Sequence, residues 1–349
     1  MRVTIADVAR AAGVSKSTVS RVLNAKGDVD GRTAERVRDV IGRLGYVPSS
    51  RAVGLARGRS RTVGMLAPSL AWPWVAELVQ GAVDAVEAAG YGLLLFTCGR
   101  GRESMTRLTA QVSANAFDGL LVVEPETETG AVAAMHRSGL PVVLIDDRVR
   151  HPGFPSVATT NTLGGTQAAH RLLGLGRSRP LVVTGPRRFD CVRERLEGFV
   201  RTLEEHGVGH DPRRTVEGGF GERSGEEAVA RLLAEGAGFD AVFAHNDLSA
   251  MGALRALRAA GRRVPDDVAV IGFDDIPLAA YTDPPLTTVR QPLRAMGGAA
   301  AALLLARIGG DPPDGLPGGL PGGPPDGDRV VLPTELVDRA SAPGPVLTP

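Results

Sequence analysis

Cysteine is nearly absent from this chain of 349 residues, and so is lysine. The two cysteines, Cys98 and Cys191, cannot make a disulfide framework or a structural zinc site, so a reduced, cytoplasmic setting is expected. Lys16 and Lys26 are the only lysines among 40 basic residues, a bias that reflects genome composition rather than function. No uninterrupted apolar run approaches the ~18–20 residues that cross a bilayer, which argues against a membrane span. The opening Met1-Arg2-Val3-Thr4-Ile5-Ala6-Asp7 holds no apolar signal core before its first acid, so export is not expected.

Catalytic signatures are missing as well. The sequence has no GxxxxGK[ST] phosphate loop, no HExxH and no GxSxG elbow. Gly174-Leu175-Gly176 lies at a helix end before a strand, the wrong order for a dinucleotide fingerprint, and lacks the third glycine. Six scattered histidines give no paired metal spacing, so His245-Asn246-Asp247 and Asp274-Asp275 are not read as a metal site. The expectation is a protein that is not an enzyme and needs no cofactor or metal.

What is present is an ordinary globular composition, 43% hydrophobic and 23% charged, long enough for two or three domains. The net charge of +1 conceals a division. Residues 1–61 carry 13 basic and 5 acidic side chains, net +8, and the remainder carries 27 and 34, net −7. A basic head suits a polyanion that an acidic body repels.

The head reads as three short helices. Thr4 and Asp7 have the spacing of a capping box, and Val8, Ala9 and Ala12 continue an apolar stripe. Gly13 permits a sharp turn, after which Ser15 caps a second helix carrying Val19, Val22 and Leu23. Asp30 caps a third helix with Val37, Val40, Ile41 and Leu44, ended near Gly45. Two helices joined by a glycine turn, with a third to close the core, form a helix-turn-helix, whose second helix enters the major groove. Its outward positions are Lys16, Ser17, Ser20 and Arg21, which suit base edges. The following segment, Tyr46 to Arg61, is too polar and glycine-rich to be a stable helix alone. It carries Leu55 between cations, the composition of a helix that forms against DNA and wedges an apolar side chain into the minor groove.

Thr4-Ile5-Ala6-Asp7-Val8-Ala9, Ala12-Gly13-Val14-Ser15, Thr18-Val19-Ser20-Arg21-Val22-Leu23-Asn24 and Leu44-Gly45-Tyr46-Val47-Pro48 closely resemble the head of the LacI/GalR family of bacterial transcriptional regulators. The resemblance implies that Lys16, Ser17 and Arg21 read bases and that Thr4, Ser15, Thr18 and Asn24 contact phosphates. It implies that Leu55 is the intercalating hinge leucine. Arg51-Ala52-Val53-Gly54 departs from the usual Ala-Arg-Ser before that leucine, and its glycine is expected to weaken the hinge helix.

From Thr62 onward, apolar runs such as Val63-Gly64-Met65-Leu66, Leu120-Leu121-Val122-Val123 and Val142-Val143-Leu144-Ile145 alternate with helical stretches. The pattern restarts after Asn161 with Leu181-Val182-Val183, Ala241-Val242-Phe243-Ala244 and Val268-Ala269-Val270-Ile271. Such runs are buried parallel strands in βαβ units, and two series predict two doubly wound subdomains with a ligand cleft at their strand ends. The expected fold is therefore an all-α helix-turn-helix head on an α/β body of two doubly wound parallel sheets. This body resembles the periplasmic-binding-protein-like effector domain of the same family, marked by Phe117-Asp118-Gly119, Leu140-Pro141-Val142, Val268 to Asp275, Leu286-Thr287-Thr288-Val289 and Leu332 to Arg339. The expected divisions are a head at 1–47, a hinge at 48–61 and a body at 62–349. Within the body, an N-subdomain takes 62–160 plus 291–325 and a C-subdomain 161–290 plus 326–341. The glycine- and proline-rich stretch 309–327 is expected to be a loop with no assigned role.

By the same resemblance, Asp146, Arg195, Asn246, Asp274 and Gln291 stand at effector-contacting positions, a set that suits a polyol. Trp72, Trp74 and Phe220 offer aromatic faces to a sugar ring, although Leu70-Ala71-Trp72-Pro73-Trp74 replaces the family's common Asn-Pro-Phe and is expected to narrow the pocket. The expectation is a repressor, as a homodimer or dimer of dimers on a pseudo-palindromic duplex operator, controlled by a small ligand, a sugar before a purine or nucleoside. A transporter's solute-binding protein would have a signal peptide and no basic head, and a sugar-processing enzyme would show a phosphate loop or catalytic pair. Neither feature is found.

Overall fold

The computed structural model describes residues 3–23, 29–46, 59–124, 129–146, 153–309 and 329–344. It forms two compact units, Met1–Arg61 and Thr62–Pro349.

The first unit holds helices α1 (Ile5–Ala12), α2 (Lys16–Leu23) and α3 (Gly31–Leu44). Their ends are set by the side chains whose spacing marks them as caps. The Asp7 carboxylate accepts the Thr4 amide at 2.9 Å and the Thr4 hydroxyl at 2.6 Å, which holds its pKa below the ordinary aspartate value. Ser15 Oγ accepts the Thr18 amide, and Asp30 accepts that of Thr33. Gly13 and Gly45 end α1 and α3 at φ +64° and +62°, a region that costs glycine nothing. The apolar faces meet in a small core of Val8, Ala9, Ala12, Val19, Val22, Ala34, Val37 and Val40.

The second unit contains two six-stranded sheets. In the first, β1 (Thr62–Ala67), β2 (Gly92–Thr97), β3 (Gly119–Val123), β4 (Val142–Ile145), β5 (Ser156–Thr159) and β11 (Arg329–Leu332) run parallel in the order β11-β5-β4-β3-β1-β2. In the second, β6 (Pro180–Thr184), β7 (Thr215–Glu217), β8 (Ala241–Ala244), β9 (Ala269–Asp274), β10 (Thr287–Arg290) and β12 (Glu335–Val337) follow the order β12-β10-β9-β8-β6-β7. Only β12 is antiparallel. Both faces of each sheet are covered. In the first, Val63, Met65, Leu121, Val123, Val143 and Ile145 face α4 (Pro73–Ala88) and α11 (Leu293–Gly309). Leu66, Leu120, Val122, Val142 and Leu144 face α5 (Arg102–Ser113) and α6 (Thr129–Arg137). In the second, Val182, Phe243, Ile271 and Phe273 pack under α7 (Asn161–Gly174) and α8 (Asp190–Glu205), while Leu181, Val183, Val242 and Val270 pack under α9 (Glu222–Ala234) and α10 (Asp247–Ala259).

The chain passes between the sheets three times, at Thr160, at Gln291-Pro292 and at Pro333-Thr334. The last passage corrects the expected subdomain limits. The expected C-subdomain takes 326–341 as one block, yet Arg329–Leu332 pair in parallel with Ser156–Thr159 in the first sheet. The alternating run Arg329-Val330-Val331-Leu332 fits an edge position beside either sheet, and only the β5 partner decides which.

Three helix pairs approach through reciprocal glycines. A Cβ on Gly81 would fall on the Arg294 carbonyl and one on Gly297 on that of Leu78, locking α4 against α11. Gly165 and Gly198 do the same for α7 and α8, against the carbonyls of Arg195 and Thr162, and Gly225 and Gly252 do so for α9 and α10. Any side chain at these positions must push two backbones apart. Gly198→Ala should therefore lower body stability by about 1–3 kcal/mol or more in urea unfolding. By contrast, Gly42→Ala in α3, where a Cβ meets nothing within 4 Å, should raise head stability by about 0.4–1 kcal/mol. Equal effects would contradict the packing account.

Candidate functional site

Two sites follow from these elements. In the first unit, α2 buries Val19 and Val22 and thereby turns Ser15, Lys16, Ser17 and Arg21 to solvent. The Ser15 hydroxyl lies 2.6 Å from that of Ser17 and 2.8 Å from that of Thr18, so the start of α2 presents a fixed row of hydroxyls. Thr4 sits exposed at the start of α1. Asn24 and Leu55, with the expected hinge as far as residue 58, lie outside the described residues.

In the second unit, a cleft gathers Trp72, Trp74, Asp146, Arg195, Phe220, Asn246, Asp274 and Gln291. The eight arrive from separate elements. Asp146 follows β4, Asn246 follows β8 and Asp274 ends β9, where parallel strands point their C-terminal ends. Trp72 and Trp74 flank Pro73 at the start of α4, their rings 6.2 Å apart. Trp74 also belongs to the core against the first sheet. Phe220 stacks beside Phe189 and lies where a Cβ on Gly185 would otherwise stand. Three further residues line the cleft that the sequence reading does not name: Glu124, Cys191 and Leu248. Glu124 carries a legible signal, since it is the first polar residue after the buried run Gly119–Val123, just as Asp146 follows Val142–Ile145. Cys191 and Leu248 occupy helical positions with no such mark.

The polar lining is held rigidly. Arg195 is 3% exposed. Its Nε donates to Asn161 Oδ1 at 2.9 Å and its Nη1 to the His245 carbonyl at 2.6 Å, with the guanidinium 3.6 Å over the Phe273 ring. Asn246 caps α10 by accepting the Ser249 amide and donates Nδ2 to the Phe220 carbonyl at 2.8 Å. Gln291 Nε2 donates to Asp274 Oδ1 at 2.7 Å. Glu124, Asp146 and Asp274 all adopt left-handed backbone, at φ +47°, +52° and +112°. Such conformations are costly for side chains larger than glycine and concentrate where structure is organised around a ligand. Asp275, at φ +59°, is tied by Arg290 and Arg339, each at 2.7 Å.

Beneath the cleft lie two buried ionisable groups. Burial, and then the neighbouring Asp274, push the Asp247 carboxyl well above the ordinary aspartate value, against hydrogen bonds from the Thr288 hydroxyl and the Ile276 amide. His245 is fully buried, and burial, then Arg195 and Arg187, hold it neutral well below the usual imidazole range. Neither of its ring nitrogens has a hydrogen-bond partner among the described residues.

Comparison with known proteins bears on the family. Residues 4–49 match the family described as bacterial regulatory proteins, lacI family, and residues 169–342 match a periplasmic binding protein-like domain. The HTH-type transcriptional regulator reg1 of Streptomyces lividans is 38% identical over 324 residues, 89% of this chain and 92% of its own. The chain belongs to the LacI family. Among solved LacI-family and related structures, the complex of the regulator CelR with cellobiose is 34% identical, with a TM-score of 0.71 over 97% of this chain and all of that one. The lac repressor dimer bound to operator and the anti-inducer ONPF is 27% identical, with a TM-score of 0.84 over 99% of this chain and all of that one. As a LacI-family member the chain is a DNA-binding transcriptional regulator, and its relatives carry regulatory rather than enzymatic names. Among the described residues no helix is long and apolar enough to cross a membrane.

His245 yields a pH prediction. In the unfolded chain it titrates near 6.5, whereas the folded imidazole stays neutral well below that. Above 6.5 neither state gains a proton. Below it the unfolded state binds one that the fold cannot, and stability falls by up to about 1.4 kcal/mol per pH unit. Between pH 7 and pH 5 the wild type should therefore lose about 1–2 kcal/mol more than His245→Leu in denaturant titrations. Parallel losses in the two proteins would show that the ring does not stay neutral.

Proposed function

We propose that this regulator is a repressor that binds a pseudo-palindromic operator as a homodimer or dimer of dimers and changes its operator affinity when a sugar occupies the cleft. One observation carries the reading: the cleft is lined by strand ends of both sheets and by Gln291, which stands on a passage between them. A ligand held there touches both halves of the body, so its binding energy differs between the open and closed arrangements of the sheets. A hundredfold change in operator affinity needs about 2.7 kcal/mol of that difference. The effector contacts are Trp72, Trp74, Asp146, Arg195, Phe220, Asn246, Asp274 and Gln291, and the CelR complex with cellobiose supports a carbohydrate.

On DNA, Lys16, Ser17 and Arg21 read base edges, Thr4, Ser15, Thr18 and Asn24 take phosphates, and Leu55 is the wedge. The domains are a head at 1–47, a hinge at 48–61 and the body from 62. Two features support self-association. The edge strand β2 leaves Leu93, Leu94, Leu95 and Phe96 only half buried, and Leu278 and Tyr281 are 48% and 86% exposed. Sedimentation at micromolar concentration reads this directly, and a monomer removes the dimer from the proposal.

Fluorescence anisotropy on duplexes from upstream of its own gene, with glucose, ribose, maltose, cellobiose and adenosine as ligands, tests the rest. Arg21→Ala should weaken operator binding about 10- to 100-fold while leaving ligand-induced thermal shifts intact. Asp274→Ala should keep operator affinity and lose the ligand response. A normal dose response in Asp274→Ala would refute the cleft assignment, and a response to adenosine alone would replace the sugar with a nucleoside.

A further inference from the structure

The seam between α7 and α8 ends in two histidines that neither the head nor the cleft uses. Three facing pairs run along it. A Cβ on Gly198 would fall on the Thr162 carbonyl, the Thr166 and Thr202 hydroxyls lie 3.2 Å apart, and the His170 and His206 rings meet with centroids 5.3 Å apart. Positions 162, 166 and 170 follow one another at i+4 on α7, as 198, 202 and 206 do on α8, so each pair lies one turn beyond the last. The glycine contacts that bring the two backbones together therefore also set the distance between the two rings. The histidines stand far apart in the chain, on different helices, and no local spacing marks them as a pair.

The chemistry of the pair is that of a metal ligand set. His206 Nδ1 lies 2.8 Å from the Thr202 carbonyl. A carbonyl only accepts, so Nδ1 carries the proton and the neutral ring keeps its lone pair on Nε2. An imidazole tied through its other nitrogen to a backbone carbonyl is the usual state of a metal-bound histidine. Both residues are exposed, so an ion reaches them from solvent. Their spacing selects a geometry. Two imidazoles on a tetrahedral ion, with metal–nitrogen bonds of about 2.1 Å, have ring centroids about 5.2 Å apart, and a right-angled pair would bring them to about 4.5 Å. The observed 5.3 Å fits the tetrahedral arrangement, which with imidazole ligands suits zinc. The two helices run in the same direction along the seam, His206 caps the end of α8, and α7 ends one turn beyond His170. The negative ends of both helix dipoles thus favour a cation at this place. Among the described residues no third His, Cys, Asp or Glu joins the pair, which leaves the other coordination positions to water.

We propose that His170 and His206 form a zinc site of two protein ligands, about 16 Å along α8 from Arg195, and that a bound ion staples α7 to α8.

Calorimetry with zinc chloride on the full-length protein, stripped of metal and then freed of chelator, tests it. The wild type should bind one ion per chain with a Kd of about 1–100 μM, and excess magnesium, which prefers oxygen ligands, should not displace it. His170→Ala and His206→Ala should each weaken that binding about tenfold or more. Saturating zinc should raise the melting temperature of the wild type and leave that of either variant unmoved. Zinc binding that survives either substitution unchanged places the ion on other groups and overturns the site. So does the absence of saturable binding below millimolar zinc. A wild-type melting temperature that zinc does not raise overturns the staple, and this measurement needs no variant.

Discussion

The Thr334 amide donates to Thr160 Oγ1 at 2.8 Å, the two hydroxyls lie 3.0 Å apart, and Gln167 Nε2 reaches the Thr334 carbonyl. These contacts hold two of the three passages between the sheets side by side, and the body depends on them. Each sheet acquires its outermost strand, β11 or β12, only after the chain has visited the other, so neither sheet can be completed alone. With the passages fixed, the C-terminal strand ends of both sheets meet across one cleft. The third passage is different in kind: Gln291 is tied to Asp274, inside the cleft, and not to the Thr160–Thr334 pair. Two passages are thus tied to each other, and the third is tied to the cleft.

Close packing behind the sheets serves the same end. The reciprocal glycines at Gly165 and Gly198 bring α8 against α7, and the carbonyl approached by Gly165 is that of Arg195 itself. A wider helix spacing would withdraw the guanidinium from Asn161 and from the His245 carbonyl. The cleft is thus positioned by backbone contacts as much as by its own hydrogen bonds. The strained backbone at Glu124, Asp146 and Asp274 persists because the strands and helices around it over-determine its path.

Much of this architecture is legible in the amino-acid sequence. Polar residues that end a buried apolar run mark strand C-termini, and Asp146 and Asp274 carry that mark, although they and Asn246 are named by family resemblance. Glu124 carries the same mark, but the family pattern supplies no role for it. The caps Thr4, Ser15 and Asp30 are legible because capping needs only local spacing. Other features are out of reach for physical reasons. The sheet that β11 joins is decided by a partner some 170 residues away, which no local pattern encodes. Cys191 and Leu248 face the cleft through the rotation of their helices, which tertiary packing sets. The neutral state of His245 depends on Arg195 and Arg187, brought to it by other parts of the fold.

The central claim is that occupancy of the cleft and affinity for duplex DNA are one coupled equilibrium. The most direct test is reciprocal: measure the affinity of full-length protein for the tightest-binding carbohydrate, with and without saturating operator, and the affinity for operator with and without saturating carbohydrate. The account predicts two ratios that are equal and differ from one, as linkage requires. Carbohydrate binding that is the same on and off the operator would contradict it.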